Sequence, residues 1–498
     1  MNYLLLSKNL GMLVASLSLP MVFPIGWAIW YEEHHSLMAF LGSIAVALAC
    51  GGVLYAAGRR ARPRMYERES IALVGLGWLL VAGFGGLPYV FSGLMTPAEA
   101  YFETMSGFTT TGASVLADVE SVDRSLLFWR ALTHWLGGMG IIVLLIAVLP
   151  FLGAGGKQLY RSEVPGVDKS GLMPRIQDTA ALLYKIYLGM TVVQTALLML
   201  AGMDLFDALC HTFASLSTGG FSTRNSSVAA FDSLAAEIII IFFMVVAGAN
   251  FGIYFAMLKG DWKAPFRNTE LKWYLIILAA ATLLIAVNLT GVQGTVEADK
   301  STPGAMGARE YGFGHALRVS AFQVSTIMTT TGFATDDSNL WPYFSRALLV
   351  MLMIIGACSG STAGGTKVVR VVILAKMVWL QLEKLFRPKT VRVLRVNGAV
   401  VTPDVQHMVH VFFVIHMSVL IAGTVFMSGL GLPFQTALTS VVATVNNIGP
   451  GMELVGAVAN YSFVPDAGKW FLSLMMVMGR LEFFSICVLF IPAFWKRA

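Results

Sequence analysis

Four short stretches of an otherwise apolar chain combine hydroxyl or amide side chains with glycine: FTTTGAS at 108–114, STGGFS at 217–222, TTTGFA at 329–334 and NNIGPG at 446–451. What these residues offer is oxygen rather than an acid, a base or a nucleophile. Glycine lets a tight segment turn its backbone carbonyls in one direction, and threonine hydroxyls can add ligands or brace the loop. Oxygen sets of this kind replace the water around an alkali cation, as in potassium-type filters. The residues placed to do so are Thr110, Thr111 and Gly112; Thr218, Gly219 and Gly220; Thr330, Thr331 and Gly332; and Asn447, Ile448 and Gly449. A single TTTG reads equally well as small residues packing transmembrane helices. Four copies, with the key glycines 108, 112 and 117 residues apart, mark an internal repeat. In the fourth copy Asn446, Asn447 and Ile448 stand in place of the threonines, so one side of any ring differs chemically.

The surrounding chain is built to sit in a bilayer. It is 498 residues long, 56% hydrophobic and 12% charged, against roughly 25% charged in an average soluble domain. Stretches of about 20 apolar residues are long enough to cross, and they fall at 9–30, 36–57, 69–92, 126–151, 179–202, 234–258, 271–292, 343–380, 405–430 and 468–494. Between them lie AYFETMSGF (100–108), FDALCHTFASL (206–216), ALRVSAFQVSTIM (316–328) and FQTALTSVVATV (434–445). These are too short to cross and read as re-entrant helices, each running directly into one of the glycine stretches. The expected fold is an all-α polytopic membrane protein: two leading helices (1–65), then four units of span, short helix, loop and span at 66–155, 156–262, 263–398 and 399–498.

Non-helical backbone at membrane depth must be buried in protein or line a wet cavity, so four such loops at equivalent places are expected to converge on one axis. Each short helix would aim its partially negative C-terminal end at that axis, which favours a cation. The basic loops, GRRARPRMYERE (58–69), 157–175, 259–272 and 384–395, fall on one side when ten spans alternate. By the positive-inside rule that side is cytoplasmic, with both termini. This placement accounts for the net charge of +6 without nucleic acid.

The eighth span is interrupted by GACSGSTAGGT (356–366). Glycines and small hydroxyls cannot hold a stiff helix, so a bendable loop is expected there. Its residues Gly356, Gly360, Ser361, Thr362, Gly364, Gly365 and Thr366 are candidates for an obstruction in the conduit, together with Arg480, an intramembrane charge and so a functional candidate. Glu482, two residues on, is a poor local partner for Arg480. Lys367 and Arg370 mark the cytoplasmic half of that span or snorkel. GSTAGGTK (360–367) departs from a phosphate loop in ending Gly-Thr-Lys. Glu103, His211 and Gln323 either brace the loops or face the outer mouth. Asn250 and His134 read as structural, and the glycines of GGMG (137–140) as points of close helix approach. The four cysteines lie far apart in apolar contexts and read as small buried hydrophobes. Neither a metal-ligand cluster nor a catalytic motif is present in the sequence, so no enzyme activity, transition metal or cofactor is expected on this chain.

Taken together, the four glycine motifs, SGSTAGGTK and Arg480 resemble the membrane subunit of Trk-type bacterial potassium uptake systems, in the Trk/Ktr/HKT superfamily. The resemblance runs along essentially the whole chain, and the two leading helices favour the Trk branch over the shorter Ktr one. It implies potassium as the transported ion, one glycine-centred filter strand from each unit, and an intramembrane gate. It also implies a homodimer in the lipid of the bacterial inner membrane, and a separate cytosolic, nucleotide-binding, TrkA-like regulatory subunit docked on the basic loops. The competing reading, a secondary transporter of another small cation or solute, calls for repeats of opposite orientation, whereas the four units here all point the same way.

Overall fold

A computed structural model of the chain describes residues 1–61, 65–140, 176–297, 306–389 and 392–496. Helices dominate, and their order is the order of the repeats. The leading pair is α1 (Tyr3–Ser16), α2 (Val22–Trp30) and α3 (His34–Gly58). The first unit follows as α4 (Glu67–Gly85), α5 (Leu87–Phe91), the short α6 (Pro97–Phe108) and α7 (Arg124–Gly138). The second is α8 (Ile176–Leu200), the short α9 (Leu205–Leu216), α10 (Leu234–Ala247) and α11 (Phe251–Leu258). The third is α12 (Thr269–Leu289), the short α13 (Phe313–Met328), α14 (Tyr343–Ile355) and α15 (Val368–Phe386). The fourth is α16 (Pro403–Gly429), the short α17 (Phe434–Val445), α18 (Asp466–Arg480) and α19 (Phe484–Cys487). All four short helices therefore exist, α13 starting three residues before the expected 316. The end of the fourth expected span and the basic loop at 157–175 lie outside the described residues.

Among the described residues, five helices are long and apolar enough to cross a bilayer alone: His34–Gly58, Arg68–Phe91, Ala181–Leu200, Thr269–Leu289 and Pro403–Gly429. Four of them bury only 28–33% of their apolar windows, whereas Arg68–Phe91 buries 61%. The former present side chains such as Leu48, Val192, Ile276 and Ile421 outward, as a lipid-facing helix must. Unpaired apolar cysteine is tolerated there too: Cys210 and Cys358 are buried as expected, but Cys50 is exposed on α3.

The expected single crossings at 9–30, 234–258 and 468–494 are each broken, in addition to the eighth. Residues 17–21 separate α1 from α2. Between α10 and α11 the axis turns by 89°, where the Asn250 side chain accepts from the Gly252 N–H at 2.7 Å and starts a new helix. After α18, Glu482 and Phe483 adopt φ of 56° and 66°, a left-handed pair that no helix can include. The second span of the second, third and fourth units is thus interrupted. Between α12 and α13 lies a hairpin, Gln293–Glu297 paired antiparallel with Met306–Glu310.

Candidate functional site: four loops in a ring

Each short helix ends in the same way. After α6 the Thr110 N–H bonds the Gly107 carbonyl (3.1 Å) and the Thr111 N–H the Ser106 carbonyl (2.8 Å). The pattern recurs with Thr218 to Ser215 and Gly219 to Ala214, with Thr330 to Ile327 and Thr331 to Thr326, and with Asn447 to Thr444 and Ile448 to Ala443. This is the Schellman closure, which requires a left-handed residue one past the cap. Thr110, Thr218, Thr330 and Asn447 occupy it with φ of 54°, 58°, 59° and 55°. The cap residue before each uses its side chain on the i−4 carbonyl: Thr109 on Met105 (2.6 Å), Ser217 on Phe213 (2.6 Å), Thr329 on Ser325 (2.7 Å) and Asn446 on Val442 (2.9 Å). The threonine runs of the sequence are therefore a cap and a left-handed turn written in polar residues. Asparagine serves both positions equally well, so the fourth loop keeps the backbone of the others.

Two residues later the chain turns left-handed again at Gly112, Gly220, Gly332 and Gly449, with φ of 84°, 79°, 86° and 88°. These glycines meet. A Cβ on Gly112 would lie 2.0 Å from the Gly219 carbonyl oxygen, one on Gly220 1.9 Å from that of Thr331, one on Gly332 2.1 Å from that of Ile448, and one on Gly449 2.5 Å from that of Thr111. Each strand abuts the next, and the fourth abuts the first, so the contacts close a ring. One face of this ring opens into a cavity lined by all four glycines together with the outer segments around Ser114, Ser222 and Tyr461.

Outside the ring, buried polar groups hold the strands. Glu103 accepts from the Ser114 hydroxyl (2.9 Å), the Val115 N–H (2.9 Å) and Arg130 Nε (2.6 Å), and Arg130 donates onward to the Ser222 carbonyl (3.0 Å). His211, nine residues before Gly220 as Glu103 is before Gly112, bonds the Ser222 hydroxyl at 2.9 Å. Both residues brace the loops rather than line the mouth. Asp207 neutralises Arg224 at 2.8 Å, so both cavity-lining arginines are paired. At the exposed rim, the amide of Asn225 donates to Asp118 (2.8 Å) and holds its carboxyl below the usual carboxylate range. Because the Glu103–Arg130 pair is buried, with side chains 0% and 5% exposed, removing one partner strands the other charge at a cost of about 3–5 kcal/mol. Glu103→Ala is expected to lower the thermal unfolding midpoint of the detergent-solubilised protein markedly, whereas Arg346→Ala, whose partner Glu453 is 42% exposed, is expected to shift it little.

The opposite face of the ring is covered by the interruption between α14 and α15. Its Gly364 N–H donates to the Thr330 hydroxyl (2.8 Å), and the Thr218 hydroxyl reaches the Thr362 hydroxyl (3.4 Å). A Cβ on Gly364 would lie 2.5 Å from the Asn446 carbonyl. Arg480 completes the set, donating to the Thr362 carbonyl (2.6 Å), the Gly137 carbonyl (2.7 Å) and the Thr110 hydroxyl (3.1 Å). The interruption thus touches strands two, three and four directly and strand one through Arg480. Glu270 ties down both ends of it, accepting from the Ser359 N–H (2.7 Å) and the Val369 N–H (3.0 Å). Gly356, Gly360 and Gly365 take φ of 69°, 71° and 73°, the Ser361 hydroxyl bonds the Cys358 carbonyl (2.6 Å), and Thr366 faces His416 (3.4 Å).

Of the two alternatives given for Lys367 and Arg370, marking the cytoplasmic half of the span or snorkelling, the second does not hold. Lys367 does not snorkel: it is 2% exposed, and its ammonium turns back onto the carbonyls of Ala363 and Gly364. Arg370 is also buried and pairs with Glu482 at 2.5 Å, a partnership invisible along the sequence because the two lie 112 positions apart. Close approach at GGMG holds, since a Cβ on Gly137 would sit 1.8 Å from the Phe108 carbonyl. In the fourth unit Gly479 stands in the same relation to Val445, also at 1.8 Å.

Comparison with known proteins points the same way. The TrkH family profile, described as "Cation transport protein", matches residues 36–497. The Trk system potassium uptake protein TrkH of Escherichia coli K12 is 36% identical over 501 residues, covering all of both chains. TrkG of the same organism is 32% identical over 491 residues, covering 98% of this chain and 97% of its own. The crystal structure of the potassium transporter TrkH from Vibrio parahaemolyticus superposes with a TM-score of 0.85 at 32% identity, with full coverage of both chains.

Proposed function

The chain belongs to the TrkH family of cation transport proteins, and on that premise we propose that it is the ion-conducting membrane subunit of a potassium uptake system. The observation that carries the proposal is the closed ring of Gly112, Gly220, Gly332 and Gly449 against the carbonyls of Gly219, Thr331, Ile448 and Thr111. Potassium enters the outer cavity, exchanges water for the carbonyl oxygens of the four triplets, and leaves on the side covered by residues 356–366. Four helix C-termini aimed at the ring favour a cation there. A membrane potential negative inside draws it inward by roughly 2.3 kcal/mol per charge per 100 mV.

The interruption acts as the gate. It lies against all four strands, directly or through Arg480, and has to withdraw for an ion to pass. The partly buried Arg480 guanidinium lies alongside it, so a cation leaving the ring meets both a steric and an electrostatic barrier. The subunit works in the bacterial cytoplasmic membrane with both termini inside, as a homodimer, under the control of a cytosolic nucleotide-binding partner that docks on the basic loops. Current recordings on reconstituted protein under opposed potassium and sodium gradients test the reading: the reversal potential is expected to follow potassium. One that follows neither cation removes it.

A further inference from the structure

The second strand of the ring is built differently from the others. At its middle position strands one, three and four carry Thr111, Thr331 and Ile448, all with fully buried side chains. In strands one and three that side chain ties back to its own helix cap, Thr111 to Thr109 at 2.7 Å and Thr331 to Thr329 at 2.8 Å. Strand two carries Gly219. Its backbone does not call for glycine, because Gly219 is not among the positive-φ residues. The space does: a Cβ there would lie 2.4 Å from Nδ1, 2.5 Å from Cγ and 2.7 Å from Cε1 of His134. An imidazole reaching in from α7 of the first unit fills the volume that a threonine or isoleucine of the strand itself fills elsewhere.

That imidazole is locked. It is fully buried and stacks on Phe221, two residues past Gly219 in the same loop, at 4.0 Å and 17°. One turn earlier on α7, the Arg130 guanidinium lies 3.5 Å from the Phe221 ring centre, fixed in turn by Glu103 and by the Ser222 carbonyl. Two side chains of one helix therefore grip Phe221, and one of them backs Gly219. The Gly219 carbonyl is the oxygen against which Gly112 packs at the seam between strands one and two.

We propose that His134 is a positioning residue for ion selection, an inter-repeat wall that sets where the Gly219 carbonyl stands, and that Gly219 and His134 are a matched pair. The proposal rests on the filter reading above. The imidazole contributes as a rigid flat plate, not as a charge. Ion discrimination by backbone oxygens depends on how firmly they are held at a given spacing, so removing the plate loosens one of four strands.

The test compares potassium and sodium flux through reconstituted wild-type protein and four variants. His134→Ala is expected to conduct potassium with potassium-over-sodium selectivity reduced roughly tenfold, equivalent to about 1.4 kcal/mol in relative binding. Gly219→Thr alone is expected to lose about nine-tenths of potassium flux, because its side chain meets the ring. The double variant His134→Ala/Gly219→Thr is expected to regain both selectivity and flux, since the strand then carries its own side chain as strands one and three do. His134→Phe, which keeps a plate without an ionisable nitrogen, is expected to retain selectivity between about pH 5 and 8. Wild-type selectivity in His134→Ala, unimpaired flux in Gly219→Thr, or a double variant no better than the worse single overturns the proposal. Should His134→Ala not fold, Gly219→Thr and its rescue by the second substitution decide the matter alone. A wild-type protein without preference for potassium refutes the filter reading instead, and so separates the two failures.

Discussion

Replacing Gly220 with alanine is expected to reduce rubidium uptake in a potassium-transport-deficient host by roughly a hundredfold or more, or about 2.7 kcal/mol in barrier height. Two separate penalties act at this position. The backbone sits at φ 79°, where a Cβ is strained, and that Cβ would lie 1.9 Å from the Thr331 carbonyl oxygen and 2.9 Å from its carbon. No flexible side chain can yield; the strand of the next unit has to move, and with it one of the oxygens of the proposed filter. Gly112 and Gly332, at 2.0 Å and 2.1 Å from their neighbouring oxygens, are expected to behave alike. Gly449, at 2.5 Å, is expected to be the least severe of the four. Gly314 is the control, because it lies on a short helix with nothing within 4 Å of its Cβ position. Its alanine variant is expected to transport normally. Near-normal rubidium uptake by Gly220→Ala protein present in the membrane at wild-type level would contradict the ring as an ion path.

The second large effect has the opposite sign. Arg480→Gln is expected to raise potassium flux through the isolated, reconstituted subunit by about tenfold. The guanidinium donates to the Thr362, Gly137 and Gly138 carbonyls and to the Thr110 hydroxyl, and each hydrogen bond to a charged group contributes about 1.5–3 kcal/mol. Its removal frees the interruption from the Gly137–Gly138 end of α7 and takes a positive charge from the exit at the same time. A glutamine cannot span the same four acceptors. Flux equal to or below wild type, measured with the same amount of folded protein, would show that Arg480 does not hold the pore shut.

How far the amino-acid sequence discloses this site depends on which atoms do the work. The four strands were legible because a helix-ending turn needs only a left-handed residue and a polar cap. Both leave marks in residue type, and the marks survive even where asparagine replaces threonine at 446 and 447. The interruption at 356–366 was legible for a similar reason, as three of its four glycines are spent on positive φ. The breaks at 248–250 and 481–483 were not, since the apolar runs on either side of each are long enough to read as one span. Asn250 as a helix cap was a signal in the first case. In the second, Glu482 and Phe483 are held left-handed with no glycine or proline to announce it. Partnerships across repeats were beyond reach altogether: Glu103 with Arg130 and Arg370 with Glu482 bring together charges that looked unrelated. His134 read as a structural residue, which it is, but only its meeting with Gly219 says what it supports.

The fourth strand closes on the first through bonds made by the two ends of the chain. Gly449 packs on Thr111, the Asn447 amide donates to the Thr111 hydroxyl (2.9 Å), the Tyr461 N–H to the Ser114 carbonyl (2.8 Å), and the Lys469 ammonium to Glu99 (2.9 Å). A chain still emerging from the ribosome, with three quarters already in the lipid, lacks that last segment and has no complete aperture. Without the fourth strand the ring stands open between strands three and one.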